Sequence, residues 1–284
     1  MTIRITASRH SAFYSPLIST MAAGFLEKHG LTYTYGVLAP GETAAGMIRD
    51  GKTHVMQSAA STNWAKMDKG EKGFPMHFAL INQRDGFFLF RRQQNFEWKD
   101  LEGRRLIADH GSQPLAMLRY AVHFNGVDWQ KIEVVNAGSP AEMVAAFEGG
   151  KGDFVHLQAP VPQLMGYAAV SVGASMPPNA FSSLCASRDF IVSETCRTFA
   201  TAFSEAKAWV RNTSPEEIAA KEASFFPGVA ESVLASAIAQ YQAIGTWAGG
   251  IEIPRDLYEQ SLNVFEYTGG IKQRQPYDAV CMLT

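Results

Sequence analysis

Two short stretches carry side chains suited to holding a small molecule. His10-Ser11 and His110-Gly111-Ser112-Gln113 each combine an imidazole with hydroxyl or amide donors, and each follows a short apolar run. Donors placed there can bind an anion or a carbonyl if a helix follows. The first helical turn leaves N–H groups unpaired, and the helix dipole is positive at that end. Further candidates are Phe13 and Tyr14 after the first stretch, Ser58 and Ser61 in Ser58-Ala59-Ala60-Ser61, and Asn82 and Arg84 ahead of Asp85-Gly86. Gln158 before Ala159-Pro160, and Phe181, complete the ligand-binding set. Arg84 could clasp a carboxylate, sulfonate or phosphate, or simply pair with Asp85 at the surface. The others have plain readings too: His10 and Ser11 as a turn and helix cap, Phe13 and Trp64 as core, Ser58 as a cap. His156 alternates with apolar neighbours and reads as a satisfied core histidine. No pair of histidines has metal-ligand spacing, so neither a metal nor a cofactor is expected, and no residue is assigned a catalytic role.

The elements that must position these residues alternate strand and helix. Arg105-Leu106-Ile107-Ala108-Asp109 is an apolar run of strand length. Pro114 then suits a first helical turn with Ser112 or Gln113 as cap, and Leu115, Leu118 and Val122 recur at helical spacing up to Asn125-Gly126. Ile132 to Val135 is a second strand. Ser139, Pro140 and Glu142 form a capping box for a helix carrying Met143, Val144 and Phe147, and Phe154 to Leu157 is a third strand. This β-α-β-α-β order predicts parallel strands with right-handed crossovers. The first eighty or so residues repeat the plan: strand Ile3 to Ser8, a helix from Pro16, strand Thr32 to Val37, helix Glu42 to Asp50, and a strand ending at Gln57. Two similar α/β lobes follow, each with His and Ser at the carboxyl end of its first strand, where open parallel sheets bind ligands. Four helical segments come after: Thr195 to Asn212, Pro215 to Ser224, Val229 to Trp247 and Pro254 to Thr268, with an irregular end beyond Pro276.

The 284 residues carry 25 Lys and Arg against 27 Asp and Glu, a formal charge of −2, and no basic run stands out. Nucleic acid is therefore not an expected partner. Three scattered cysteines, Cys185, Cys196 and Cys281, suit neither a disulfide framework nor a zinc site and are expected to be free and buried. No apolar run is long enough to span a membrane.

The run Asp100-Leu101-Glu102-Gly103-Arg104-Arg105, with His110-Gly111-Ser112, Leu118-Arg119-Tyr120-Ala121, Val134-Val135-Asn136, Pro140 to Phe147 and Gly152-Asp153, resembles the second lobe of NMT1/THI5-like substrate-binding proteins. Ala22 to Leu31 and Pro178 to Phe190 extend the resemblance over nearly the whole chain. It implies an α/β protein of type II periplasmic-binding-protein architecture. Two Rossmann-like lobes are joined by a hinge of two crossings, with a helical C-terminal tail packed on lobe one. Lobe one is then residues 1–83 plus 185–284, and lobe two is 84–184. The function implied is a monomeric solute-binding protein that holds a small organic molecule in the inter-lobe cleft for an ABC permease. Its ligand would be a pyrimidine-like heterocycle or a compact organic anion such as a sulfonate. Transport relatives are exported, whereas here a strand starts at Ile3 with no leader-like segment before it. The expected location is periplasmic or otherwise extracytoplasmic if a leader was removed, and cytoplasmic if not.

The resemblance also includes pyrimidine synthases of the THI5 group, which use a lysine for pyridoxal phosphate, and a signal-less enzyme of that kind, or a lyase or decarboxylase, is the alternative reading. This chain departs from the synthase pattern, with Gln57 and Ser58 where the lysine is expected. Lys66 and Lys69 read as a solvated helix face. Gln158 stands where relatives often carry an acidic residue, which argues against recognition of a cationic group at that point.

Overall fold

The strand expected at Ile3 to Ser8 forms as β1 (Thr2–Ala7), where Ile3, Ile5 and Ala7 are buried while Thr2 and Arg4 face solvent. The computed structural model describes residues 1–283. After β1 come α1 (Ser15–Ala22), α2 (Phe25–Lys28), β2 (Thr32–Val37), α3 (Ala44–Arg49), β3 (Val55–Ser58), α4 (Trp64–Met67) and β4 (Met76–Asn82). The chain next builds β5 (Phe87–Arg91), β6 (Arg105–Ile107), α5 (Ser112–Phe124), β7 (Glu133–Val135), α6 (Pro140–Glu148), β8 (Phe154–Gln158) and β9 (Ala168–Ser171). It returns as β10 (Ser182–Ala186) and finishes in α7 (Arg188–Ile191), α8 (Glu194–Asn212), α9 (Pro215–Glu222), α10 (Glu231–Ala243), α11 (Arg255–Tyr267) and α12 (Tyr277–Val280). No helix among the described residues is long and apolar enough to cross a membrane.

The two five-stranded sheets, ordered β2-β1-β3-β10-β4 and β7-β6-β8-β5-β9, share one plan. Three strands in each are parallel, as the βαβ pattern predicts. The fourth strand of each is the one that has just crossed between lobes, and it enters antiparallel: β10 against β3 and β4, β5 against β8 and β9. The sheets are thus mixed rather than wholly parallel, because a strand arriving from the other lobe has no crossover helix to bring it round in the parallel sense.

Caps set the helix ends. Ser139 accepts from the Glu142 N–H and Glu142 reaches back to the Ser139 N–H, the capping box expected. Thr43 caps α3 by accepting from the Gly46 N–H, so the helix starts at Ala44 rather than Glu42. For α5 the expectation fails: Gly111 is the N-cap, no side chain caps it, and Ser112 and Gln113 lie inside the first turn. The C-terminus is not irregular throughout, since α12 forms and Cys281 makes a parallel bridge to His77 of β4. All three cysteines are free and buried.

The hinge is closely packed. The Asn179 N–H donates to the Gln83 carbonyl at 2.9 Å and the Phe181 N–H to the Asn82 carbonyl at 3.1 Å, pairing the two crossings. A Cβ at Gly86 would lie 2.3 Å from the Phe13 ring, and one at Gly173 would lie 2.2 Å from the Asp85 carbonyl oxygen. Only glycine permits these approaches. The tail helices close over the same point, where the Tyr241 hydroxyl shares its proton between the Gly86 and Ala159 carbonyls and the Trp247 indole donates to the Phe13 carbonyl.

Candidate functional site

Between the lobes lies a cleft of about 970 Å³. Its floor comes from the loops after β1 and β6 and from the end of β8, where Arg9, His10, Ser11, Asp109, His110 and Gln158 meet. Its walls are mainly apolar, with Phe87, Val144, Leu157 and, from the loop between α9 and α10, Phe226 and Val229, and Asn136, Glu148 and Gln163 add polar groups. A smaller chamber of about 250 Å³ adjoins it on the side of β3 and β10, lined by Tyr14, Gln57, Ser58, Gln113, Phe181 and Ser182 among others. Arg9, Phe87 and Gln158 line both spaces and form the partition between them.

That partition holds two bonds from lobe to lobe. The Arg9 guanidinium grips Asp109 with both ends, Nη1 to Oδ2 at 2.8 Å and Nη2 to Oδ1 at 3.2 Å. The Ser11 hydroxyl donates to Gln158 Oε1 at 3.1 Å. Burial works to raise the Asp109 pKa, but the Arg9 bond and charge, with the Gly111 N–H 2.7 Å from Oδ1, hold it below the ordinary value. Burial likewise opposes the Arg9 charge, and Asp109 more than restores it. The guanidinium also lies 5.6 Å from the centre of the Phe87 ring, within cation–π range. Asp85 in the hinge feels both charges; burial drives its carboxyl pKa up to about 7, against the Phe87 N–H on Oδ1, the Arg9 charge and the Gly86 N–H.

In the small chamber Gln57 is the organising residue. Its Oε1 accepts from the Ser8 N–H, the Ser8 hydroxyl and the Arg9 N–H, and its Nε2 donates to the Ser182 hydroxyl at 3.1 Å. Both ends of this amide are occupied, which fixes the loop carrying Arg9. Tyr14 is buried beside it with its pKa pushed up to about 12, so the phenol stays protonated as a donor. Gln113 uses its amide to hold the Phe181 carbonyl at 2.6 Å, and the uncapped α5 N-terminus opens on the cleft with no acidic residue in its first turn.

His10 lines the cleft as a wall support. The Phe225 carbonyl can only accept, so His10 Nε2 carries the proton at 2.8 Å, and Nδ1 takes the Tyr35 hydroxyl at 2.7 Å. Its ring lies 4.6 Å from that of Phe226, and burial lowers its pKa despite the bond to Phe225. His110 is exposed at the rim with Nδ1 bonded to its own loop at Ala108.

Of the residues singled out from sequence, His10, Ser11, His110 and Gln158 line the large space and Tyr14, Ser58, Gln113, Gln158 and Phe181 the small one. Five lie elsewhere. Phe13 is fully buried in core with Phe181 and Tyr241, and Ser61 is buried beyond the end of β3 and lines neither space. Asn82 is sealed in the hinge, and Ser112 points to solvent. Arg84 turns away from both Asp85 and the cleft to donate to the Gly173 and Met176 carbonyls, because the return crossing leaves those oxygens without strand partners. His156 is indeed core, its ring tilted 31° to that of Phe87 with the centres 4.6 Å apart, but not satisfied: neither ring nitrogen has a partner, and burial brings its pKa to about 3. The sequence reading passed over Arg9, Asp109, Gln57 and Phe226. The signal for the first two was present in their matching places, one residue ahead of the His at each strand end.

The NMT1/THI5-like family model matches residues 13–218. The chain belongs to this family. Among its relatives, the putative binding protein YtlA of Bacillus subtilis is 22% identical over 97% of this chain and 86% of its own length. The ligand-binding component of an ABC-type import system from Staphylococcus aureus, solved with zinc bound, superposes with a TM-score of 0.76 at 12% identity, covering 100% of this chain and 97% of that one. The alkanesulfonate-binding protein SsuA from Xanthomonas axonopodis pv. citri, bound to MOPS, gives a TM-score of 0.71 at 13% identity over 100% and 98% of the two chains. These likenesses establish the type II periplasmic-binding-protein fold for this NMT1/THI5-like chain. Of the two residues read from sequence as standing where a synthase lysine is expected, Gln57 spends its amide on the Arg9 loop and Ser182, and Ser58 bonds the Thr62 hydroxyl, while Lys66 and Lys69 are exposed.

Proposed function

We propose that this protein is a solute-binding protein that captures a small organic molecule between its lobes and delivers it to an ABC permease. The observation that carries this reading is the Arg9–Asp109 bridge. The polar groups of the cleft come from both lobes and meet each other there, so a ligand that replaces those contacts ties the lobes together and selects the closed form. The apolar walls suit a carbon body, and Arg9 with the open end of α5 suits a polar head, in keeping with a heterocycle or a compact organic anion. Delivery to a permease places the working protein outside the cytoplasmic membrane.

Among the described residues no cysteine lines the cleft, and burial drives all three thiols up in pKa, so they are poor nucleophiles. This favours capture over thiol chemistry. The test is a thermal-shift panel of heterocycles, sulfonates and carboxylates, followed by calorimetry on the hits. A one-to-one ligand that raises the melting temperature, and whose effect is lost in Gln158→Ala, supports the reading. Turnover of the bound compound would overturn it.

A further inference from the structure

Resting on that capture reading, we infer that the solute is a zwitterion, one small molecule carrying an oxyanion and a protonated amine, which gives Arg9 and Asp109 new partners in place of each other.

The charges lining the two spaces decide the sign. Among the described residues that line the two spaces Arg9 is the sole arginine or lysine, against the carboxylates of Asp109 and Glu148 in the large space and Glu42 in the small one. A plain anion that takes Arg9 displaces the Asp109 carboxylate and stays beside it, a like charge keeping only the Gly111 N–H. A plain cation that takes Asp109 leaves the guanidinium with no counter-ion but Asp85, whose buried carboxyl is held by the Phe87 N–H. Either way a partly buried charge is stranded, since the Arg9 side chain is 38% and the Asp109 side chain 10% exposed. A zwitterion leaves the total charge of the cleft unchanged and strands neither.

Gln158 supplies an independent pointer. Its Oε1 is occupied by Ser11, and its buried Nε2 lies on the partition that Arg9 shares, with the Tyr14 phenol as its one polar neighbour and no closed hydrogen bond. An amide N–H so lightly engaged beside a guanidinium can turn to an oxyanion. The ligand's oxyanion accordingly meets Arg9 and Gln158 Nε2, and its amine meets Asp109 with the Phe87 face alongside. The tie to lobe two then passes through Asp109 and Gln158, which come from β6 and β8, and the tie to lobe one through Arg9.

The test is calorimetry on the full chain with three matched probes: 3-aminopropane-1-sulfonate, propane-1-sulfonate and propylammonium. The aminosulfonate is expected to bind at least about tenfold tighter than either singly charged probe. Asp109→Asn, which keeps the Oδ1 that meets the Gly111 N–H, should bring the two sulfonates to within about twofold of each other. Arg9→Lys, which keeps both charges, should preserve the order of the three. Propane-1-sulfonate binding the unaltered protein as tightly as the aminosulfonate, or an undiminished preference in Asp109→Asn, overturns the zwitterion and leaves capture standing. If none of the three binds, the zwitterion falls too, and capture is judged by the wider thermal-shift panel alone.

Discussion

Arg9 and Asp109 stand 100 residues apart at equivalent places in the two lobes, each in the loop that leaves the middle of its sheet's three parallel strands, β1 and β6, and they close on each other in a two-pronged ion pair. Duplicate lobes with opposite charges at one matched position have a built-in complementary contact. The hinge places that contact on the partition of the cleft, so the pair reports whether the lobes are together.

Asp109→Ala should open the unliganded protein. Arg9 loses its partner, and swinging the lobes apart returns the guanidinium to water, so global stability should fall by no more than about 1 kcal/mol. Small-angle scattering should show a larger radius of gyration than for the unaltered protein. An unchanged radius would mean the pair does not hold the lobes.

Arg84→Ala and His110→Ala should separate hinge from rim. Arg84 donates to the Gly173 and Met176 carbonyls, so its loss should cost about 1–2 kcal/mol in denaturant unfolding while ligand affinity measured on the folded protein changes little. His110→Ala should leave stability within about 0.5 kcal/mol, because the side chain is exposed.

Gly173→Ala should destabilise by about 1–3 kcal/mol, since its methyl would meet the Asp85 backbone and part the two crossings. Gly250→Ala is the control: nothing lies within 4 Å of the added carbon and stability should stay nearly level. Equal melting temperatures for the two variants would show that the crossings are less tightly packed than described.

Glu222 gives a pH dependence. Its carboxyl is buried between α9 and α1, accepting from Ser19 Oγ at 2.6 Å and lying 2.9 Å from Ser15 Oγ, which is itself 2.8 Å from the Ala12 carbonyl. Ser15 has one proton. If that proton goes to Ala12, Glu222 must donate to Ser15, which requires the neutral acid. Burial agrees, raising the pKa from 4.5 to about 8 against the two serine bonds. The folded state then binds the extra proton between those values, so this group's stabilisation is full at low pH and is lost as pH rises towards about 8. Lys207, lowered to about 7 by burial, acts in the opposite sense above that pH, so the comparison needed is between Glu222→Gln and the unaltered protein. The glutamine variant should flatten the decline in melting temperature between pH 5 and 8. Parallel curves would place Glu222 as an ordinary ionised carboxylate.

Much of this was legible in sequence where a local rule settles local structure. Ser139-Pro140 with Glu142 could hardly be other than a helix start, and the echoed strand ends at Ser8 and Asp109 placed both cleft loops. What was hidden depended on distant partners. Phe87 to Phe90 is a strand by composition, but its antiparallel entry is fixed only by the crossing. Arg84 looked like a ligand clamp because its true acceptors, on Gly173 and Met176, are backbone carbonyls that leave no trace in side-chain type. His10 and His110 drew notice as versatile side chains. Arg9 and Asp109, each one position earlier, carry the inter-lobe contact, and their complementarity exists only once the lobes face each other.

The most direct test of solute capture is native mass spectrometry of the protein with a ligand from the thermal-shift panel, followed by denaturation and recovery of the small molecule. The account predicts a one-to-one complex that is lost in Arg9→Ala, with the ligand returned at its original mass. A ligand returned at a different mass, or a complex that persists unweakened without Arg9, would contradict it.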